Sequence, residues 1–434
     1  MFQPPQNKKR FTLLENLTSV PRLRLLSLIL LGIWVIVYLN YHISSKSLVN
    51  EKGVVIGSDF ITFYLAGTII KEKGGERIYN PDYQKQVQDQ ILAPDKMEGL
   101  LFFINPPWVA VIYSVYAYLP YRLAFHLHTM TMVFCFIGGV WALRPHLRAI
   151  SSHWWIAGLL GMLWFPMIKT ITGGQNAAMI FLLLCCGYSA LIKNKSNWAG
   201  LSFGLLLFKP QYAFPIIGLL ALRKKWKILA VVISIGGIQY FLGAYFCGFA
   251  WPFKMLNAIN DSYRIHERMA SGATHISILE AIDYSLIRPL HQFTTNEQII
   301  KFVHFFGYLL VGSGIVTLAV IWRKVEFQRD DFGLFWAFTI AAILLISLHT
   351  QYYDASLLFL SVILILDYQL FKGYPITSIQ RMLLFIPFFL FPLYHISEII
   401  HFQPLIILPT YICWWAIKLI RSENRFTPMV RKIK

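Results

Sequence analysis

Leu25-Leu26-Ser27-Leu28-Ile29-Leu30-Leu31-Gly32-Ile33-Trp34-Val35-Ile36-Val37-Tyr38-Leu39-Asn40-Tyr41-His42 contains no Asp, Glu, Lys or Arg. Crossing the hydrocarbon core takes about 20 apolar residues in a helix, and fewer where protein surrounds it, so this stretch reads as a membrane span. No small-residue cleavage site follows, which makes it a retained anchor rather than a signal peptide. Similar runs recur at His153 to Met167, Met179 to Ile192, Trp226 to Phe249, Phe302 to Trp322, Phe332 to Leu348 and Leu357 to Leu370.

The composition agrees. Of 434 residues, 56% are hydrophobic and 16% aromatic, and only 14% are charged, against about 25% charged in soluble domains. The chain is expected to be an all-α polytopic membrane protein. Its five cysteines, Cys135, Cys185, Cys186, Cys247 and Cys413, lie in or beside the apolar runs and suggest neither a disulfide nor a zinc framework.

The net charge of +18 would suggest nucleic acid in a soluble protein, but its distribution says otherwise. Basic clusters occur at Lys8 to Arg24, at Arg144 and Arg148, and at Lys193 and Lys195. Others follow at Arg223 to Lys227, at Arg323 to Arg329, at Lys372 and Arg381, and from Lys418 to Lys434. Basic residues favour the cytoplasmic ends of spans. All these clusters fall on one side if helices occupy 25 to 44, 121 to 143, 153 to 169, 174 to 192, 196 to 209, 210 to 222, 226 to 249, 301 to 322, 332 to 348, 352 to 370, 382 to 398 and 403 to 420. That is a bundle of about twelve spans with both termini cytoplasmic. Residues 1–24 and 421–434 are then cytoplasmic tails around one membrane domain, 25–420, with a first outer loop at 45–120 and a long one at 250–300. The basicity becomes an orientation signal, and no nucleic-acid partner is expected.

Two segments depart from a plain bundle. Pro106 to Pro120 is apolar but short, and reads as a helix lying in the outer interface. Asn197 to Leu222 is interrupted by Lys209-Pro210-Gln211, which suggests two short helices meeting at an outward tip; broken helices line cavities rather than lipid.

This threading gathers the polar residues on the outer side. Asp59 lies in the first outer loop, and Lys169 with Gln175 and Asn176 in the next turn. Lys209 with Gln211 follows; then come Arg264, His266, Glu267, Arg268, His275 and Asp283 in the long loop. His349 to Asp354 and His395 with Glu398 complete the set. Ionisable groups at membrane depth are costly and point to function. Each also has a plainer reading. Ser58 or Asp59 would cap a helix beginning at Phe60, or Asp59 would act as a base or in an ion pair. Lys209 would hold a phosphate or snorkel to the interface. Gln175 and Asn176 would bind sugar hydroxyls or cap the helix starting near Ala177. His349 and Asp354 are too far apart for a helical pair, and meet only if the turn folds them together. His395, Glu398 and His401 are spaced by three, which points the two histidines apart and argues against a metal. The tryptophans Trp154, Trp155, Trp251, Trp414 and Trp415 read as interfacial belts.

No phosphate-cradling Gly-x-x-x-x-Gly-Lys motif, kinase set or Gly-x-Ser-x-Gly elbow is present, so soluble nucleotides are not suggested as an energy source. One ordered set does stand out: Gly57-Ser58-Asp59-Phe60 with Phe63-Tyr64-Leu65-Ala66-Gly67, Asn105-Pro106-Pro107, Gly174-Gln175-Asn176, Lys209-Pro210, and His349 with Tyr353-Asp354. It resembles glycosyltransferase family 87, integral-membrane enzymes of the GT-C superfamily typified by polyprenol-phosphate-mannose-dependent α-mannosyltransferases of actinobacterial lipid synthesis. The likeness runs from about 55 to 360. It departs at Asn105, where many relatives have Tyr, and in a lone Asp59 where related GT-C enzymes of glycolipid-anchor synthesis have paired acids.

The resemblance implies a GT-C-type bundle and an inverting hexosyl, here mannosyl, transfer. The donor would be a polyprenyl-phosphate-linked sugar at the outer face of the cell membrane, and the acceptor a lipid or glycan. Asp59 would be the catalytic base. Lys209, His349, Arg264 and Arg268 would face the donor phosphate, the two arginines being suggested by their loop alone. Gln175, Asn176, Gln211, Tyr353 and Asp354 would face the sugar or acceptor. No cofactor is implied, and one carboxylate is a poor site for a divalent metal, which wants several oxygen ligands. Two other classes use similar features: a transporter or flippase of lipid-linked sugars, and a surface-glycan polymerase or ligase. The first would bring internal repeats and mid-membrane charges, the second key residues on a later large loop.

Overall fold

A computed structural model describes residues 19–45, 47–266, 276–293, 296–388, 399 and 402–431, with side chains at all of these but 263–266, 292 and 423–431. Among the described residues there is no strand, only an isolated bridge between Val49 and Val55.

The helices are α1 (Val20–Ser44), α2 (Phe60–Lys71), α3 (Pro81–Leu92), α4 (Pro107–Tyr113), α5 (Tyr121–Leu143), α6 (Trp154–Met162) and α7 (Phe165–Thr172). Next come α8 (Ala177–Ile192), α9 (Ser196–Leu205), α10 (Pro210–Leu222), α11 (Trp226–Cys247), α12 (Trp251–His266), α13 (Ile278–Ile282) and α14 (Arg288–Phe293). The last are α15 (Glu297–Trp322), α16 (Phe332–Ile346), α17 (Leu358–Phe371), α18 (Ser378–Phe385) and α19 (Ile407–Arg431). Proline recurs in the first turn of α1, α3, α4, α7 and α10, where its missing N–H costs nothing and its fixed φ suits the helix.

Among the described residues, six helical stretches are long and apolar enough to cross a membrane: Val20–Ser44, Tyr121–His146, Trp226–Cys247, Glu297–Trp322, Tyr352–Phe371 and Pro404–Ser422. A seventh would be the pair Ser151–Met162 and Phe165–Thr172, bent by 66°. The uninterrupted helix expected over 153 to 169 is therefore broken. Pro166 cannot donate to an upstream carbonyl, and Trp164 turns extended (ψ 133°) ahead of α7.

The remaining apolar helices, including α8, α9, α10 and α16, are shorter than those spans. All of α16 is buried, so protein rather than lipid surrounds it. At 1.5 Å per residue, α9 with its 3-10 turn and α10 are each about 20 Å long, against about 30 Å of hydrocarbon. Their shared tip, Lys209, is thus recessed relative to the long spans.

Other boundaries shift. α15 starts at Glu297, where Asn296 accepts a hydrogen bond from the Gln298 N–H. The tail expected from 421 continues as helix through Arg431. The 106 to 120 segment is α4 followed by a 3-10 turn. It buries Trp108, Val109 and Tyr113 and exposes Ile112, Val115 and Tyr118, a two-faced pattern that suits an interfacial helix. Gly67 on α2 admits it: a Cβ there would lie 2.5 Å from the Tyr113 carbonyl oxygen. The tryptophans expected as belts divide, since Trp414 is exposed whereas Trp251 and Trp415 are core residues. The Trp415 indole N–H is satisfied inside by Gln369 Oε1 at 2.8 Å.

The loops that carry the basic clusters meet at one end of the bundle. Asp367 accepts the backbone N–H groups of Arg148, Ala149 and Ile150 at 2.8–2.9 Å, Arg148 pairs with Asp330, and the Arg223 guanidinium donates to the Arg323 carbonyl at 2.6 Å. Asp59, Gln175, Lys209, His349 and Asp354 lie at connections or helix starts at the opposite end, with Lys169 in α7.

Candidate active site

The site begins with two glycine turns that clasp one another. Gly57 has φ +69°, and a Cβ on it would meet the Phe125 ring at 2.5 Å. Gly174 has φ +68°, and a Cβ on it would lie 2.3 Å from Phe60 Cβ. Both positions need a left-handed backbone and no side chain. The Asp59 N–H donates to the Gly173 carbonyl at 3.0 Å, and Ser58 Oγ approaches the same oxygen at 3.4 Å.

Asp59 precedes α2 but its side chain makes no capping hydrogen bond. Its Oδ2 instead accepts Gln175 Nε2 at 2.7 Å, across 116 residues of sequence. Asn176, at the corresponding position before α8, also makes no capping bond. The capping readings of both motifs therefore fail. Asn176 is fully buried, and both of its amide atoms lack a protein partner, as does Gln175 Oε1. Buried polar atoms are normally satisfied. Here they belong to the turn whose Gln175 amide holds Asp59.

Two lysines interact electrostatically with this carboxylate. Lys209, held at the break between a 3-10 turn and α10, interacts with Asp354 first and then with Asp59. Lys169, carried toward the site by the bend before α7, also interacts with Asp59. The turn is tied back by the Gln175 N–H donating to the Thr170 carbonyl at 2.9 Å and by Thr170 Oγ1 reaching the Tyr353 carbonyl at 3.4 Å.

On the other wall, Asp354 Oδ2 accepts the Gln351 N–H at 2.9 Å, part of a reciprocal capping box that shapes the turn. Asp354 is buried and interacts with Lys209, His349 and the Tyr212 hydroxyl. His349 Nδ1 lies 2.9 Å from Glu280 Oε1. Tyr353 is half-buried and interacts with both Asp354 and Asp59.

The fold therefore brings Asp59, Gln175, Asn176, Lys209, Tyr353, Asp354 and His349 into one polar cluster. Gln211 sits half-buried in the first turn of α10, beside Lys209. Arg264 falls on α12, its side chain outside those described; Arg268 lies outside the described residues, as do Glu267, His275, His395, Glu398 and His401. Among the described residues no three His, Cys, Asp or Glu side chains converge as metal ligands.

Glu280 and Tyr212 were not legible as site residues. Glu280 stands three residues after Ser277, a spacing that reads as a local helix cap, and Tyr212 reads as apolar filling. A large cavity, about 800 Å³, lies elsewhere: α1, α6, α7, α17 and α18 line it with apolar side chains such as Leu30, Trp34, Leu160 and Phe359. Its lining includes Ile168, next to Lys169 in sequence, but none of the cluster residues.

Charges gathered at one end of a helical bundle with membrane-crossing helices mark a functional site in a membrane protein. The sequence model of glycosyltransferase family 87 matches residues 103–349, more than half of the chain, and the protein belongs to that family. The match includes Gln175, Asn176, Lys209, Glu280 and His349; Asp59, Tyr353 and Asp354 lie outside its limits. No curated protein and no solved structure matches significantly.

Proposed function

We propose that this glycosyltransferase moves a hexosyl unit, mannosyl in the first instance, from a polyprenyl-phosphate-linked donor to a lipid or glycan acceptor at the outer face of the membrane, inverting the anomeric carbon. The observation that carries this reading is the 2.7 Å bond from Gln175 to Asp59. A half-buried carboxylate that caps nothing and is held by an amide is oriented to take a proton.

In the proposed step the acceptor hydroxyl attacks the anomeric carbon and its proton passes to Asp59. The bond from that carbon to the phosphate oxygen breaks, and its electron pair stays on the phosphate. General-base help of this kind contributes about 10²- to 10⁴-fold. Fixed cations aimed at the growing phosphate charge supply most of the rest. Lys209 and His349 take that role, with Arg264 and Arg268 as further candidates from the long loop. Lys169 interacts with Asp59 from the bend before α7.

Gln175, Gln211, Tyr353 and Asp354 border the space for sugar and acceptor hydroxyls. One Asp354 oxygen is committed to Gln351, so its effect on substrate runs through Lys209 and the turn. Asn176 is fully buried, and would touch a substrate only if its turn opened. No step invokes a cofactor or a metal. The outer-face assignment is supported by the gathering of basic loops at the opposite end, which the positive-inside preference places in the cytoplasm.

The test is purified protein in lipid with a radiolabelled polyprenyl-phosphate mannose and a panel of lipid and glycan acceptors, analysed for the anomeric configuration of the product. Transfer with inversion is expected. Transfer only from a soluble nucleotide sugar, or with retention, would overturn the reading.

A further inference from the structure

We propose that Glu280 is a positioning residue that turns the His349 imidazole toward the donor phosphate; this rests on the reading of His349 given above. The pair links two segments 69 residues apart, with His349 Nδ1 at 2.9 Å from Glu280 Oε1. An ionised carboxylate only accepts hydrogen bonds, so Nδ1 carries the proton of this contact. Nε2 is then the ligand-facing nitrogen, and the ring is fixed about both of its side-chain torsions, as carboxylate partners fix histidines in metal sites.

The other carboxylate oxygen is equally engaged. Glu280 Oε2 accepts the Thr350 N–H at 3.1 Å and Ser277 Oγ at 2.9 Å. The Ile276 N–H donates to the Thr350 carbonyl at 3.2 Å. The beginning of α13 is thereby locked to the turn that carries His349. The Glu280 side chain is only 14% exposed and that of His349 36%, so the acid sits behind the ring and the ring faces outward.

The surroundings make a merely structural link an expensive choice. Asp354 also interacts with His349, Tyr212 and Tyr353 interact with Glu280, and Lys209 is the cation that interacts with Asp354. Two acids beside the place of a leaving phosphate oppose its charge. A loop link alone is served by a neutral amide, whereas a histidine that donates from Nε2 to phosphate while Nδ1–H is already given to Glu280 is the imidazolium, and its Nδ1–H is best met by an anionic acceptor.

The experiment measures kcat and donor KM separately for wild type, Glu280→Gln, His349→Ala, the double variant and Ser277→Ala, with melting temperature as the control for folding. Glu280→Gln keeps an oxygen for Thr350 but blurs the ring's orientation. It should lower kcat about 10- to 100-fold, the range seen for partners of ligating histidines, with little change in melting temperature. The double variant should be no slower than His349→Ala, because residues acting as a unit are not additive. Ser277→Ala removes one bond to the same carboxylate and the α13 cap, and should lower the melting temperature while sparing kcat.

Losses that multiply in the double variant, or a Ser277→Ala variant as slow as Glu280→Gln, would overturn the proposal in favour of a loop link. A slow His349→Ala with a fully active Glu280→Gln would overturn it while leaving His349 in place at the phosphate. Wild-type turnover by His349→Ala would instead remove the reading on which it rests.

Discussion

Gln175 Nε2 donates to Asp59 Oδ2 at 2.7 Å and so joins the Gly57 turn to the Gly174 turn. Neither residue serves its local helix. Each is positioned by the other's turn, through the Asp59 N–H on Gly173 and the contact of Gly174 with Phe60. If this bond aims the base, Gln175→Leu should lower kcat more than it raises acceptor KM. A hydrogen bond to a charged group is worth about 1.5–3 kcal/mol, which corresponds to about 10- to 100-fold in rate. Steady-state kinetics with saturating donor would check this.

The clasp also makes a stability prediction. Gly174→Ala places a Cβ against Phe60 at a positive φ, a combination that costs about 1–3 kcal/mol or more. The variant should melt well below wild type in detergent, whereas Gly218→Ala, where nothing lies within 4 Å of the added Cβ, should not.

Lys209 is predicted to act on the leaving phosphate. Lys209→Met should reduce kcat/KM for the donor by about 10²- to 10³-fold, comparable to removing one donor from an oxyanion hole. Lys209→Arg keeps the charge but not the shape, and should retain more activity than Lys209→Met.

Asp367 provides the contrasting case at the other end. It accepts three backbone N–H groups and is buried. Asp367→Ala leaves those donors unsatisfied, each costing about 1–3 kcal/mol where water cannot reach. Expression and melting temperature should fall, while donor and acceptor KM of the folded fraction stay at wild-type values.

Orientation can be measured directly. In a background lacking the native cysteines, a cysteine at Lys52 should react with an impermeant maleimide added outside cells, and one at Lys324 only after permeabilisation. The reverse pattern would put the site on the cytoplasmic side.

Much of this was legible in the sequence because the responsible forces are local. Pro210 breaks α9 from α10 where Lys209-Pro210-Gln211 suggested, and the apolar runs delimit most helices to within a few residues. The convergence of Asp59, Gln175, Lys209 and His349 followed from threading the basic loops. Long-range choices were hidden. Nothing near His349 announces Glu280, which reads as a cap for Ser277, and nothing near Trp415 announces Gln369. Burial depends on which helix packs opposite, so Trp251 and Trp415 looked like interfacial aromatics. The bend before α7 was legible in Pro166 but was outweighed by the apolar run around it, and it is this bend that delivers Lys169 and Thr170 to the site.

Asp59 as the base is tested most directly by single-turnover transfer by Asp59→Asn against wild type with radiolabelled polyprenyl-phosphate sugar and a productive acceptor. The amide preserves shape and can still meet Gln175, so folding and donor binding should persist while the transfer rate falls by about 10²- to 10⁴-fold. Transfer at the wild-type rate by a folded Asp59→Asn would contradict the account.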